Sequence, residues 1–189
     1  RVLRDFGGQP TNITAVTANP ALGPGVGGEV AVGLEDGSVL LFRIEKPKDG
    51  QAPGAAWRRF ELPKAPGPIT LLAWSADGAQ FASGCRGTGA GEGVLRLHDA
   101  QGEVSTSFDG LSQGVAQIAF GPDNSETGDS FLAALDLAGG LHLLRSSGTR
   151  VRPVPPSEGS FTSLRGLPAG MGYALLDSEG AQVLYGADR

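Results

Sequence analysis

Five consecutive residues, GLSQG at 110–114, fit the G-x-S-x-G pattern of a nucleophilic serine on a tight elbow. That chemistry needs Ser112 on a sharp strand-to-helix turn with a histidine base nearby. Ser112 instead precedes VAQIAF, which reads as a strand. The chain has 2 histidines, His98 and His142, and both fall in segments that read as strands. The simpler reading is a glycine-rich loop between strands. Two separated histidines are also too few for zinc, since catalytic sites use three protein ligands and structural sites four.

The other chemical motifs read the same way. GCRGTGAGEG (84–93) is glycine-dense, but Glu92 stands where G-x-G-x-x-G needs its last glycine, and no G-K-[ST] follows. Without a following helix there are no N-terminal amides to hold phosphate. A long hairpin fits better. Cys85 lies in an apolar run as a small core residue, with no flanking histidine to activate it. Asp36, Asp136 and Asp177 recur beside glycine-bearing turns, where carboxylates bond local backbone amides. Asn12-Ile13-Thr14 is a formal glycosylation sequon at a strand start, with no secretion signal beside it. The sequence therefore assigns no catalytic residue, no metal ligand and no cofactor. Its candidate contact residues are Trp57 with Arg58 and Arg59, an aromatic and two cations of the kind that dominate binding surfaces. Trp74, in an apolar strand, reads as core.

The elements behind these residues are short and turn-rich. The 189 residues include 31 glycines, about twice the usual share, clustered between short apolar runs. Hydrophobic residues make up 40% and charged residues 19%, which excludes a disordered composition. The net charge of −5 gives no global field toward phosphate backbones, so nucleic acid is not favoured. The densest basic set is Arg145, Arg150, Arg152 and Arg165, which reads as a solvated face. No apolar run approaches the roughly 20 residues of a membrane helix. One cysteine and no signal segment point to the cytoplasm. The opening Arg1 reads as the start of a fragment or a processed chain.

Repeats decide the fold class. ITAVTANP from Ile13, ITLLAWSA from Ile69, VAQIAFGP from Val115 and FTSLRGLP from Phe161 align without gaps, each apolar at its first and fourth positions. Their spacings, roughly 56, 46 and 46 residues, suit a propeller-type repeat. A second element follows each: VAVGL from Val30, FASGC from Phe81, LAALD from Leu132 and YALLD from Tyr173, all with alanine second. A third follows a glycine-bearing turn, in EDGSVLLF, GEGVLRLHD, AGGLHLL and SEGAQVLYG, as in a hairpin. Fourth strands are expected in RVLRDF (1–6), WRRFEL (57–62), VSTSFDG (104–110) and RVRPVP (150–155), the prolines of the last requiring an edge. AAWRRFEL (55–62) is short for a helix and reads as strand.

Residues 69–99, ITLLAWSADGAQFASGCRG…GVLRLHDAQG, resemble a WD repeat, and AFGPDN (119–124) echoes its first turn. His98-Asp99 stands in the position of the Trp-Asp pair, with Phe42-Arg43 and Leu144-Arg145 in the first and third units. The Gly-His dipeptide of the family is absent before every first strand. The His–Ser/Thr–Asp–Trp set that braces many such units therefore cannot form complete. The resemblance implies an all-β, WD40-like β-propeller segment, four blades of about four antiparallel strands, part of a larger propeller. The blades are expected near 11–62, 67–110, 113–155 and 159–189, with 1–6 as an outer strand of an adjoining or closing blade. His98 is then expected to pack between blades.

A propeller of this family implies a non-catalytic scaffold or sensor module that binds proteins or peptides, within a larger multidomain protein. Two alternatives belong to other classes. One is a propeller enzyme of hydrolase or lactonase type with a metal in its central channel. The other is a structural subunit whose ring is completed by another chain.

Overall fold

The computed structural model describes residues 12–21, 28–45, 56–87, 93–123, 130–154, 161–166, 173–177, 180 and 182–185. Within them every regular element is a strand. The first sheet holds β1 (Ile13–Ala18), β2 (Gly28–Leu34), β3 (Val39–Glu45) and β4 (Ala56–Glu61). The second holds β5 (Ile69–Trp74), β6 (Gln80–Cys85), β7 (Gly93–Asp99) and β8 (Val104–Leu111). The third holds β9 (Val115–Asp123), β10 (Ser130–Asp136), β11 (Leu141–Arg145) and β12 (Arg150–Val154). The fourth holds β13 (Phe161–Gly166), β14 (Tyr173–Asp177) and β15 (Gln182–Tyr185). Neighbouring strands pair antiparallel in every sheet, and chain order is sheet order.

Segment 56–61 is strand, paired along β3 from Leu40↔Glu61 to Glu45↔Ala56. Pro153 sits in β12, which is an edge of its sheet and so needs no donor there. RVLRDF lies outside the described residues. One expected turn is different. The second sheet turns at Ser75–Gly78, but β9 continues through Gly121 and Pro122 to pair Asp123 with Ser130. Among the described strands β9 pairs in a ladder with β10 alone, so its other edge can carry a proline.

The first strands gather: β1 contacts β5, β5 contacts β9 and β9 contacts β13. Each sheet therefore lays one face on the sheet before it. Ala31, Val39 and Leu41 of the first sheet bury Ile69, Leu72, Trp74 and Phe81 of the second. Leu95, Leu97 and Phe108 of the second meet Val115, Leu132 and Leu144 of the third. Ala133, Leu135 and Leu141 of the third meet Phe161 and Leu164 of the fourth. Each large side chain so buried contributes roughly 1.5–3 kcal/mol, and no sheet could collect that alone.

The joints have a fixed register. The first residue of each new sheet lands on the fourth position of the second-strand motif in the sheet before: Ile69 on Gly33 and Val115 on Gly84. At Gly84 a Cβ would lie 2.8 Å from that of Val115, so glycine is required for close approach, not for conformational freedom. In the third joint Leu135 takes this place beside Phe161.

Candidate functional site

Trp57, Arg58 and Arg59 lie in β4, the outermost strand of the first sheet, opposite Ile44, Arg43 and Phe42. The structure places all three backbones on one edge strand, and their side chains fall outside the description. Trp74 is core, its ring 4.8 Å from that of Phe81. Asn12 is exposed and donates to Glu35 Oε2 at 2.7 Å.

His98 is buried and stacks on Phe81, with centroids 4.5 Å apart and planes 8° from parallel. Its Nδ1 lies 3.3 Å from the Gly102 carbonyl and its Nε2 2.8 Å from Ser83 Oγ. One nitrogen thus donates and the other accepts, which is the neutral imidazole's pattern. Burial is the main force lowering its pKa to about 4, with Arg96 adding to it and the Gly102 carbonyl and Asp99 opposing. As expected, His98 fills the place where the resemblance puts tryptophan.

The recurring aspartates close turns. Asp36 Oδ1 accepts the Ser38 amide at 3.0 Å, and Lys64, at 2.9 Å, is the chief cause holding the Asp36 carboxyl below the usual range. Asp136 Oδ1 accepts the amides of Ala138 at 3.0 Å and Gly140 at 2.7 Å. The Asp177 side chain is outside the description. Asp77 and Asp99 serve their own turns in the same way.

Asp136 does more than sequence reasoning foresaw. Its buried Oδ2 accepts the Ser112 amide at 3.2 Å and lies 2.9 Å from His142 Nε2. The structure therefore brings Ser112, Asp136 and His142 together from three segments. The arrangement does not make a nucleophile: Ser112 joins through its backbone, and among the described residues its hydroxyl bonds neither imidazole nitrogen. Gln113, at φ 60, and Gly114, at φ 120, carry the chain from that amide into β9. The carboxylate ties the β10–β11 turn to the loop from the second sheet. The aspartate–glycine turn signal was visible in the sequence, but a contact across 24 residues had no local trace.

Among the described residues, partial counterparts of the His–Ser/Thr–Asp–Trp set are Ser83–His98 in the second sheet and Asp136–His142 in the third. Beside Asp136, a shallow cleft of about 320 Å³ opens between the third and fourth sheets, lined by Ala116, Leu135, Leu137, Phe161 and Thr162. Among the described residues, no three His, Cys, Asp or Glu side chains converge to hold a metal.

No family model and no curated protein matches the chain. Solved structures do. The C-terminal WD40 domain of Sif2 superposes with a TM-score of 0.62 at 21% identity, over 93% of this chain and 46% of its own. The fold is that of a WD40 β-propeller. Sqt1 from Chaetomium thermophilum gives 0.66 at 19% identity, over 94% of this chain and 44% of its own. The β-propeller domain of Cps50 (Swd1) from Myceliophteria thermophila gives 0.62 at 12% identity, over 94% and 55%. The chain spans about half the length of the WD40 propellers it matches, and its sheets are blades.

Proposed function

We propose that this WD40 segment is a non-catalytic scaffold that binds a protein or peptide, within a larger propeller. The observation supporting this is how the reactive side chains are spent. His98 is committed to Ser83 and Gly102, His142 to Asp136, and Asp36, Asp77, Asp99 and Asp136 to turn amides. Groups engaged in these internal bonds hold the shape of turns and blades. A rigid frame with exposed edges suits recognition.

For the contact surface we favour β4, where Trp57, Arg58 and Arg59 follow one another on an outer strand. Arginines select acidic partners through charge-assisted bonds, and an indole supplies apolar area. Panning a displayed peptide library against the immobilised chain tests the reading. It expects acidic sequences with an apolar anchor, their binding weakened roughly tenfold or more by Trp57→Ala or by Arg58→Glu with Arg59→Glu. Enriched peptides indifferent to these changes would move the site off β4. A failure to enrich any sequence would end the scaffold reading.

A further inference from the structure

Aspartate stands directly before glycine at 36–37, 49–50, 77–78 and 109–110. In such a pair the glycine amide can attack the aspartate carboxyl, because glycine has no Cβ to obstruct the approach. The reaction needs a carboxyl that other donors do not hold and a backbone able to bring the two groups together. Two of the pairs are tied on both sides. Asp36 accepts Lys64 Nζ at 2.9 Å and the Ser38 amide at 3.0 Å, while the Gly37 amide donates to the Leu34 carbonyl at 3.1 Å. Asp77 accepts the Ser75 hydroxyl at 2.6 Å and the Ala79 amide at 3.0 Å, while the Gly78 amide donates to the Ser75 carbonyl at 3.0 Å. The Lys64 bond in one and the Ser75 bond in the other are the chief causes holding these carboxyls below their usual range. An ionised carboxylate is also the poorer electrophile. Residues 49–50 lie outside the described residues.

At 109–110 those ties are missing. Asp109 is exposed, and among the described residues no donor holds its carboxylate. The register of β7 on β8 passes from Leu95↔Phe108 to Gly93↔Leu111, so neither Asp109 nor Gly110 has a partner in it. Gly110 sits at φ 78 in this bulge, where the ladder is locally disrupted. We propose that Asp109-Gly110 is a site of spontaneous succinimide formation and conversion to isoaspartate. The Gly110 nitrogen bonds to Asp109 Cγ, and the amide proton leaves with the carboxyl hydroxyl as one water. A second water then opens the ring at either carbonyl. Opening at the side-chain carbonyl restores aspartate. Opening at the main-chain carbonyl leaves isoaspartate, unchanged in mass, with a backbone one methylene longer. The effect falls on the joint with the third blade. Leu111 is 1% exposed in that joint, and Ser112 gives its amide to Asp136 at 3.2 Å. A methylene inserted just before them displaces both and loosens the second blade from the third.

The test is to age the purified chain for weeks at neutral pH and body temperature. Endoproteinase Asp-N then reads the product, since it cuts before aspartate and not before isoaspartate. Cleavage at Asp109 should be lost roughly tenfold or more faster than at Asp36 and Asp77, where reaction waits on local opening. In concentrated urea the three positions should age alike, which separates the effect of the fold from that of the dipeptide. Asp109→Glu, an exposed change whose ring would need one more carbon, should stop the loss. Asp109→Asn should hasten it, with ammonia leaving in place of water. Hydrogen exchange at the Ser112 amide should rise in the aged chain and stay unchanged in aged Asp109→Glu. Equal rates at the three aspartates in the folded chain, or full cleavage at Asp109 after ageing, would overturn the site. A Ser112 amide unmoved in chains converted at Asp109 would overturn the loosened joint.

Discussion

Ser83 donates its hydroxyl to Nε2 of His98 across 2.8 Å, on the face that the second blade turns to the first. The bond needs an unprotonated nitrogen, and burial supplies one by lowering the pKa from 6.5 to about 4. The unfolded chain takes up that proton below about 6.5 and the folded chain resists it. The stabilisation is therefore complete above 6.5 and is lost as pH falls from 6.5 through 4. The loss should reach about 2 kcal/mol at pH 5, where most carboxylates remain ionised. Urea titrations at pH 8 and pH 5 should show it, and His98→Phe should remove that part of the slope. An equal slope in the variant would contradict the assignment.

Gly33→Ala should cost roughly 1–3 kcal/mol, because the new methyl runs into the Ile69 side chain at the first joint. Ile69→Ala alone leaves a cavity and costs roughly 2–5 kcal/mol. Together they should cost less than their sum, since the truncated Ile69 makes room. Strict additivity in chemical denaturation would show that these positions do not meet.

Asp136→Asn should destabilise by roughly 2–4 kcal/mol, since the buried carboxylate serves three amides and an imidazole and the carboxamide leaves some of them unpaired. Hydrogen exchange should rise first at the amides of Ser112 and Gly140. Asp36→Asn, whose carboxylate is exposed beside Lys64, should cost under about 1 kcal/mol. Equal losses would refute the difference in role.

Gln113→Gly should stabilise by about 0.5–1 kcal/mol. Gln113 is held at φ 60, in the left-handed region that a side chain penalises and glycine enters freely. The gain is net of the extra freedom glycine gives the unfolded chain. A lower melting temperature would mean that the Gln113 side chain makes a contact worth more than the strain.

The blade pattern was legible because each joint repeats at fixed offsets along the chain. Ile13, Ile69, Val115 and Phe161 are apolar at one register position, and Ala31, Ala82, Ala133 and Ala174 are small at another. Packing that recurs leaves a periodic trace. Among the described residues the Asp136 cluster recurs in no other blade, and it joins residues from a loop, a turn and a strand, so it left none. The continuation of β9 through Pro122 was hidden for a related reason. Gly121-Pro122-Asp123 has turn composition, and only the pairing of Asp123 with Ser130 overrides it.

The graded seats at Gly33, Gly84 and Leu135 make the units non-interchangeable. A unit headed by isoleucine or valine docks where its neighbour shows bare backbone, whereas Phe161 docks beside a leucine. Swapping the second and fourth units would press Phe161 onto Gly33 and Ile69 onto Leu135, one joint overpacked or tilted and the other underfilled. Order along the chain is thus written into side-chain volume as well as connectivity, and duplication or shuffling of these units is tolerated only where head and seat remain matched in size.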